Sequence, residues 1–274
     1  MENTIKTFTL FVRSDEKSKQ IANSIRNLNN NSLKPLQETD NGDLIIAIGG
    51  DGTFIDSVTS TNFSKSKVYA GIHTGTLGFL QNLSADEVFT LIKYFSYEKE
   101  IKTRKMLVSS VVVNLINGNK LCYYSLNEVL VVGSNYSKIS FSEYVNDELL
   151  QNVVGNGIII ATNTGDTAYS MNSGGAIDFS NHFQLVCTLA TPILNAAYER
   201  FITNPIICSK VSIVPKPSNN ISIIIDGITK DIDSKQIKNV DISMLDGSNY
   251  INKFELETYS KVNIIREKIL GYNF

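Results

Sequence analysis

The chain has 274 residues, 42% of them hydrophobic, with a formal charge of -2 and a pI near 5.8. That length buries a sizeable core in one large domain or two modest ones, and the composition is that of an ordinary globular protein. The slight acidity argues against non-specific nucleic-acid binding and against an anionic membrane surface, and no apolar run approaches the ~20 residues of a membrane helix.

Taken in order, Thr7 to Val12 reads as a strand and residues 16–28 as a helix, with Ile21, Ile25 and Leu28 at helical spacing. Ser14 and Asp15 are its candidate caps, and the Asn- and Ser-rich residues 29–32 form a loop. Residues 44–48 are a short apolar strand of the kind buried on both faces, and a helix is expected from Thr53. Residues 68–72 give the next strand, and residues 84–95 a helix capped by Ser84 with Glu87 at the capping-box position. Strand and helix alternating at this spacing predict a parallel α/β sheet over residues 1–100, with ligands at the carboxyl ends of its strands.

After Glu100 the texture changes. Short β-type runs at 107–116, 121–132, 139–145, 148–154, 157–162, 185–190, 211–214, 221–225 and 240–244 are separated by turn-forming breaks. They predict a mainly β domain over residues 101–255. In the final segment, 256–274, Val262, Ile265 and Ile269 fall at helical spacing, and this segment is expected to return to the first domain.

Gly49-Gly50-Asp51-Gly52-Thr53 follows the buried strand. Glycines at a strand end let the backbone approach a ligand closely, and with the next helix N-terminus their N–H groups form an anion site. Gly49, Gly50, Gly52 and Thr53 are therefore the candidate phosphate-binding residues. Asp51 within such a cradle would repel a phosphate, which makes sense if it takes a proton or holds a metal. The alternative is that Asp51 only caps the helix.

Asn127 and Glu128 interrupt an apolar run, and on a strand they point to opposite faces, neither of which looks wet. A carboxylate there costs several kcal/mol or shifts its pKa unless it is hydrogen-bonded. Ligand hydroxyls such as those of ribose would supply donors; a solvated bend or bulge is the alternative. Residues 161–176 pack hydroxyls, amides and glycines densely, which suits a polar ligand but also a long surface loop. Asp226-Gly227 reads as a turn. Cys122, Cys187 and Cys208 are widely spaced in apolar contexts, which suits buried thiols in a reducing cytosol. With His73 and His182 the only histidines, neither a zinc site nor a Cys–His nucleophile is expected. Residues 1–6 are polar and lack the features of a signal peptide.

Gly49 to Thr53, Thr74-Gly75-Thr76-Leu77-Gly78-Phe79-Leu80, Leu126-Asn127-Glu128, Thr164-Gly165-Asp166-Thr167-Ala168-Tyr169 and Gly174-Gly175-Ala176 occur in an order and spacing that resemble the ATP-dependent NAD kinases. Arg104 with Leu107, Thr191-Pro192-Ile193 and Asn204-Pro205-Ile206-Ile207 fit the same pattern, so the resemblance covers nearly the whole chain. The first motif alone is weak, since diacylglycerol and sphingosine kinases share it and phosphofructokinases carry something close. The Asn-Glu pair and the Thr-Ala-Tyr segment are more specific.

The resemblance implies a Rossmann-like N-terminal α/β domain and a mainly β C-terminal domain, with NAD bound between them. It also implies a cytoplasmic homodimer or homotetramer that uses ATP with Mg2+ or another divalent metal. Asp51 would be the general base that takes the proton from the 2′-hydroxyl of the adenosine ribose, which attacks the γ-phosphate of ATP, or polyphosphate in some bacterial members. Gly52 would lie beside it in the NAD site, Phe79 near the adenine, and Asn127 and Glu128 at the ribose diol. Thr164, Thr167, Ala168, Tyr169 and Asn172 would line the adenine and nicotinamide ends. Asn156 stands where the family usually has aspartate, Val154 where it often has arginine, and Asp166 where it usually has serine. These departures imply altered nucleotide affinity rather than different chemistry. A catalytically weak NAD(P)-binding homologue and a lipid kinase are the alternatives.

Overall fold

The computed structural model describes residues 5–75, 78–81, 83–97, 100–180, 182–194, 200–244, 247–256 and 260–271. The chain divides into two compact units, Met1–Met106 with Tyr250–Phe274, and Leu107–Asn249.

The first unit is built on β1 (Thr7–Val12), α1 (Glu16–Asn30), β2 (Gln37–Glu38), β3 (Leu44–Gly49), α2 (Asp51–Ser60), β4 (Val68–His73), α3 (Val88–Tyr97) and β5 (Thr103–Leu107). Its six-stranded sheet runs β2-β1-β3-β4, then the strand Tyr250–Phe254, then β5. The pairings of β1 with β3, β3 with β4, and β4 with Tyr250–Phe254 are parallel. Every residue of β3 from Leu44 to Ile48 is fully buried, as a central strand covered on both faces requires. Asp15 caps α1 by accepting the Ser18 amide at 3.0 Å, and Ile21, Ala22 and Ile25 turn its apolar stripe onto the sheet. Ser84 and Glu87 form the capping box, but it opens a 3-10 turn, Ala85–Glu87, from which α3 continues to Tyr97.

The strand Tyr250–Phe254 falls within the 101–255 span that the sequence assigns to the β-rich domain, yet it pairs with β4 in the first sheet. β5 joins the same sheet. A short apolar run does not record which sheet it will join, because that choice is made by partners far away in sequence. The helix Lys261–Lys268, capped by Ser260, also lies in the first unit. The Thr76-Leu77 part of the glycine-rich segment falls outside the described residues.

The second unit contains β6 (Ser109–Leu115), β7 (Lys120–Ser125), β8 (Glu128–Gly133), β9 (Ile139–Val145), β10 (Glu148–Ala161), β11 (Leu185–Pro192), β12 (Ile206–Cys208), β13 (Lys210–Pro215), β14 (Ile221–Ile225), β15 (Ile228–Lys230) and β16 (Ile237–Ser243). They form an antiparallel sheet ordered β15-β14-β8-β10-β9-β13-β16-β6-β7, with β11 on β10 and β12 on β11. Period-2 alternation buries Val111 and Val113, Val211 and Ile213, Ile221, Ile223 and Ile225, and Val240 and Ile242 in one core. The two runs at 148–154 and 157–162 are one continuous strand, β10. The run 121–132 is instead two strands, broken at Leu126 and Asn127. Cys187 and Cys208 are buried, but Cys122 is exposed, because β7 is an edge strand whose alternate residues face out. Among the described residues no helix is long and apolar enough to cross a membrane.

Candidate active site

In the first unit the carboxyl end of β3 runs directly into α2. Gly50 is the N-cap residue, Asp51 begins the helix, and no side chain caps it. The helix therefore starts two residues before the expected Thr53, and Asp51 does not serve it as a cap. The Asp51 carboxylate turns instead toward the segment after β4. Its Oδ2 accepts the Phe79 amide and its Oδ1 the Leu80 amide, each at 3.0 Å. A Cβ at Gly78 would overlap Asp51 Oδ1, so glycine alone lets the chain pass this close. From the helix Lys261–Lys268, the Lys268 ammonium lies 3.3 Å from Asp51 Oδ2 and 4.6 Å from the centre of the Phe79 ring. The carboxylate is 28% exposed. Since a carboxylate offers about four acceptor positions, Asp51 keeps lone pairs for a further donor.

Two groups at this turn escaped the sequence reading. Arg13 follows β1, at the same carboxyl edge as the glycines. Its Nη2 donates to Thr74 Oγ1 at 3.0 Å and its Nε to Asp15 at 2.6 Å, and its Nη1 would be 3.8 Å from a Cβ at Gly50. The pairing holds the Asp15 carboxyl well below the usual range. Gln81, fully buried, donates to the Gly50 carbonyl at 2.7 Å and leaves Oε1 unpartnered. The rule that ligands meet a parallel sheet at its carboxyl edge was the available signal for Arg13. A cation and backbone amides at a helix N-terminus are what an anion needs.

The second unit holds a different constellation. Between β7 and β8 the backbone bends at Leu126 and Asn127, and three groups hold that corner. Asp226, between β14 and β15, accepts from Ser125 Oγ at 2.8 Å and from the amides of Leu126, Asn127 and Glu128 at 2.7, 2.8 and 3.2 Å. Its own amide donates to the Glu128 carbonyl at 3.0 Å. Thr162 donates through its amide to the Asn127 carbonyl at 2.8 Å and through Oγ1 to the Leu126 carbonyl at 2.5 Å. Gly165 packs so tightly on Asn127 that a Cβ would overlap its carbonyl oxygen.

With the backbone thus satisfied, Asn127 Oδ1 and Glu128 Oε2 are left buried without a partner. Burial first, and the Asp226 charge second, push the Glu128 carboxyl up to about 7. The corner is a bend, but a buried one rather than the solvated bend of the alternative reading. Buried polar atoms are nearly always paired, so two adjacent orphans call for a donor from outside the chain.

After β10, Gly165–Thr167 forms a 3-10 turn and Tyr169–Asn172 a short helix, with Ala168 between them. This segment is not a surface loop: Asp166 and Thr167 are buried, and Thr164 is anchored through its amide to Thr162 Oγ1 at 3.1 Å. Asp166 turns inward and accepts the Asp178 amide at 2.6 Å, so its charge holds the segment's own backbone and is not presented to a ligand. Asn156 and Tyr169 meet in a cavity of about 470 Å³ that also involves Tyr136, Thr191, Ser222 and Thr229, and among the described residues no charged side chain lines it. Asn156 is fixed there by donating to the Tyr136 carbonyl at 2.7 Å. Asn172 is exposed on the short helix and makes a long contact of 3.4 Å to the Ala168 carbonyl.

Among the described residues no group of three or more His, Cys, Asp or Glu side chains stands ready to hold a metal. In the first unit a glycine turn with a carboxylate and flanking cations suits a phosphorylated ligand, and in the second a pair of orphaned acceptors suits a ligand that carries hydroxyls.

Comparison with known proteins agrees. Residues 5–101 match the ATP-NAD kinase N-terminal domain and residues 126–253 the ATP-NAD kinase C-terminal domain. The chain is 27% identical to the NAD kinase of Finegoldia magna over 92% of its own length and 94% of that protein. It is 30% identical to the NAD kinase of Sulfurimonas denitrificans over 83% of its length and 77% of that protein. The fold resembles the crystal structure of yeast NADH kinase complexed with NADH, with a TM-score of 0.82 at 17% identity over 98% of this chain and 88% of that one. The chain belongs to the ATP-NAD kinase family, and as an enzyme it is an NAD kinase.

Proposed function

We propose that Asp51 takes the proton from the 2′-hydroxyl of the adenosine ribose of NAD while that oxygen attacks the γ-phosphate of ATP, giving NADP and ADP. Phosphoryl transfer depends on positioning and charge neutralisation more than on covalent help from the protein. Two amide bonds fix the Asp51 carboxylate, and the remaining lone pairs can accept the proton. Gly49, Gly50 and Gly52 let the donor phosphates approach the backbone of the turn, Thr53, whose own N–H donates to the Gly50 carbonyl at 3.0 Å, offers its hydroxyl, and Arg13 and Lys268 offer positive charge. Lys268 already lies on Asp51 and would shift toward the more negative phosphoryl group.

The observation that carries the acceptor side of the reading is the orphaned pair, Asn127 Oδ1 and Glu128 Oε2. Ribose hydroxyls are donors of the kind these oxygens lack. Thr164, Thr167, Ala168 and Tyr169 follow in the same unit, and the cavity at Asn156, uncharged among the described residues, suits a neutral carboxamide end of the ligand. Phe79 is held beside Asp51 and is assigned to the adenine. Asn172, exposed on the short helix, is assigned to the same stretch on family likeness. Magnesium would arrive with ATP and supply charge neutralisation at the phosphates. Polyphosphate as donor, a homodimer or homotetramer, and a cytoplasmic location complete the proposal on family likeness alone.

The test is a coupled assay of purified protein with NAD, Mg-ATP and an NADP-specific dehydrogenase. Formation of NADP that depends on both substrates supports the reading. No NADP at millimolar substrates, with NAD still raising the melting temperature, would reduce the chain to a nucleotide-binding homologue.

A further inference from the structure

Asp226 is the group whose geometry exceeds what its place in the chain requires. Asp226 and Gly227 have φ of 49° and 81°, both left-handed, and join the paired strands β14 and β15. Such a turn asks only for Asn-Gly or Asp-Gly, and asparagine would serve it as well as aspartate. The carboxylate does something else. It reaches a segment about one hundred residues earlier and gathers three successive amides and one hydroxyl. Three consecutive N–H groups converging on one acceptor form a nest, the shape a chain uses to hold an anion. Here the anion is the protein's own side chain, and the nest is the corner that carries Asn127 and Glu128.

We propose that Asp226 is a positioning residue for dinucleotide binding: its carboxylate bends Leu126–Glu128 into the conformation that leaves Asn127 Oδ1 and Glu128 Oε2 free for ribose hydroxyls. The inference rests on the reading of that pair as the ribose site. Two features of the corner support it. All of its carbonyls from Leu126 to Glu128 are satisfied by Thr162 or by the Asp226 amide, so the orphaned oxygens are confined to the two side chains. Asp226 is also itself buried, and four donors compensate a carboxylate that burial would otherwise neutralise.

The test compares Asp226→Asn, Ser125→Ala and Glu128→Gln in the full chain by steady-state kinetics. Asp226→Asn keeps the turn but replaces one acceptor oxygen with an NH2 group facing an amide donor. The expected result is a KM for NAD raised about tenfold or more, with KM for ATP within twofold and kcat at saturating NAD largely kept. Removing the Asp226 charge also moves the acid limb of kcat/KM for NAD to lower pH, because that charge adds to burial in disfavouring ionised Glu128. A purely structural role would not move this limb in that direction. If Asp226→Asn does not fold, Ser125→Ala decides, since it removes one bond to the carboxylate and should raise KM for NAD two- to threefold. A folded Asp226→Asn, or failing that a Ser125→Ala, with KM for NAD unchanged overturns the inference. If Glu128→Gln also leaves KM for NAD unchanged, the ribose reading has failed as well; if Glu128→Gln raises it, only the role of Asp226 has failed.

Discussion

Glu128 is predicted to trade stability for binding, and the trade has a sign and a size. Its carboxyl is buried and pushed from an ordinary 4.5 up to about 7, by burial first and by Asp226 second. A carboxyl with a raised folded-state pKa binds its proton more tightly in the native state than in the unfolded one. Stability therefore falls as pH rises from about 4.5 to about 7, and above that range the full penalty of an ionised, poorly partnered carboxylate is present. The gap corresponds to about 3 kcal/mol as an upper bound. Glu128→Gln keeps the shape and removes the charge. In urea unfolding at pH 8 without nucleotide, the variant should be more stable than the parent by about 2–3 kcal/mol, and at pH 4.5 the two should coincide. The same substitution should weaken NAD binding at least tenfold, because a strong ionised acceptor for ribose hydroxyls is lost. A Glu128→Gln variant no more stable than the parent at pH 8 would refute the reasoning, since Glu128 would then be paired or solvated.

Further outcomes follow from the Asp51 turn. Gly78→Ala places a methyl group on Asp51 Oδ1 and must displace either the carboxylate or the segment carrying Phe79. Turnover in the coupled assay should drop about 10²-fold, with the melting temperature changed by only a few degrees. Arg13→Ala should raise KM for ATP by roughly one order of magnitude and leave KM for NAD unchanged, because the side chain flanks the glycine turn. Equal effects on both substrates would show that Arg13 acts through the fold, by way of Thr74 and Asp15.

How much of this the sequence disclosed depends on how far each signal travels along the chain. β1, α1, β3 and β9 were legible because period and composition act over a few neighbouring residues. Asn127 and Glu128 were legible for a related reason: two polar residues inside an apolar run are a local contradiction, and the structure answers it with a buried corner. Asp226 was read only as a turn. That reading was correct for its backbone and blind to its side chain, whose partners lie between 98 and 101 residues away. The strand Tyr250–Phe254, absent from the predicted runs and inside the span given to the β-rich domain, joins the first sheet for the same reason, its partner β4 being far earlier in the chain. Asp166, an expected negative charge on the ligand side, proved to be an internal acceptor for the Asp178 amide, a pairing no local pattern announces. Long-range pairing is the part of a fold that a single sequence leaves unwritten.

The central claim is that Asp51 acts on the acceptor hydroxyl rather than merely holding the turn, and Asp51→Asn tests it most directly. The variant keeps one acceptor for the amides of Phe79 and Leu80 but cannot take a proton. The measurement is its kcat in the coupled assay beside its affinity for NAD by calorimetry. The account predicts a kcat reduced about 10²–10⁴-fold with NAD affinity within a few-fold of the parent. A variant that binds NAD and turns over within tenfold of the parent, or one that simply unfolds, would contradict it.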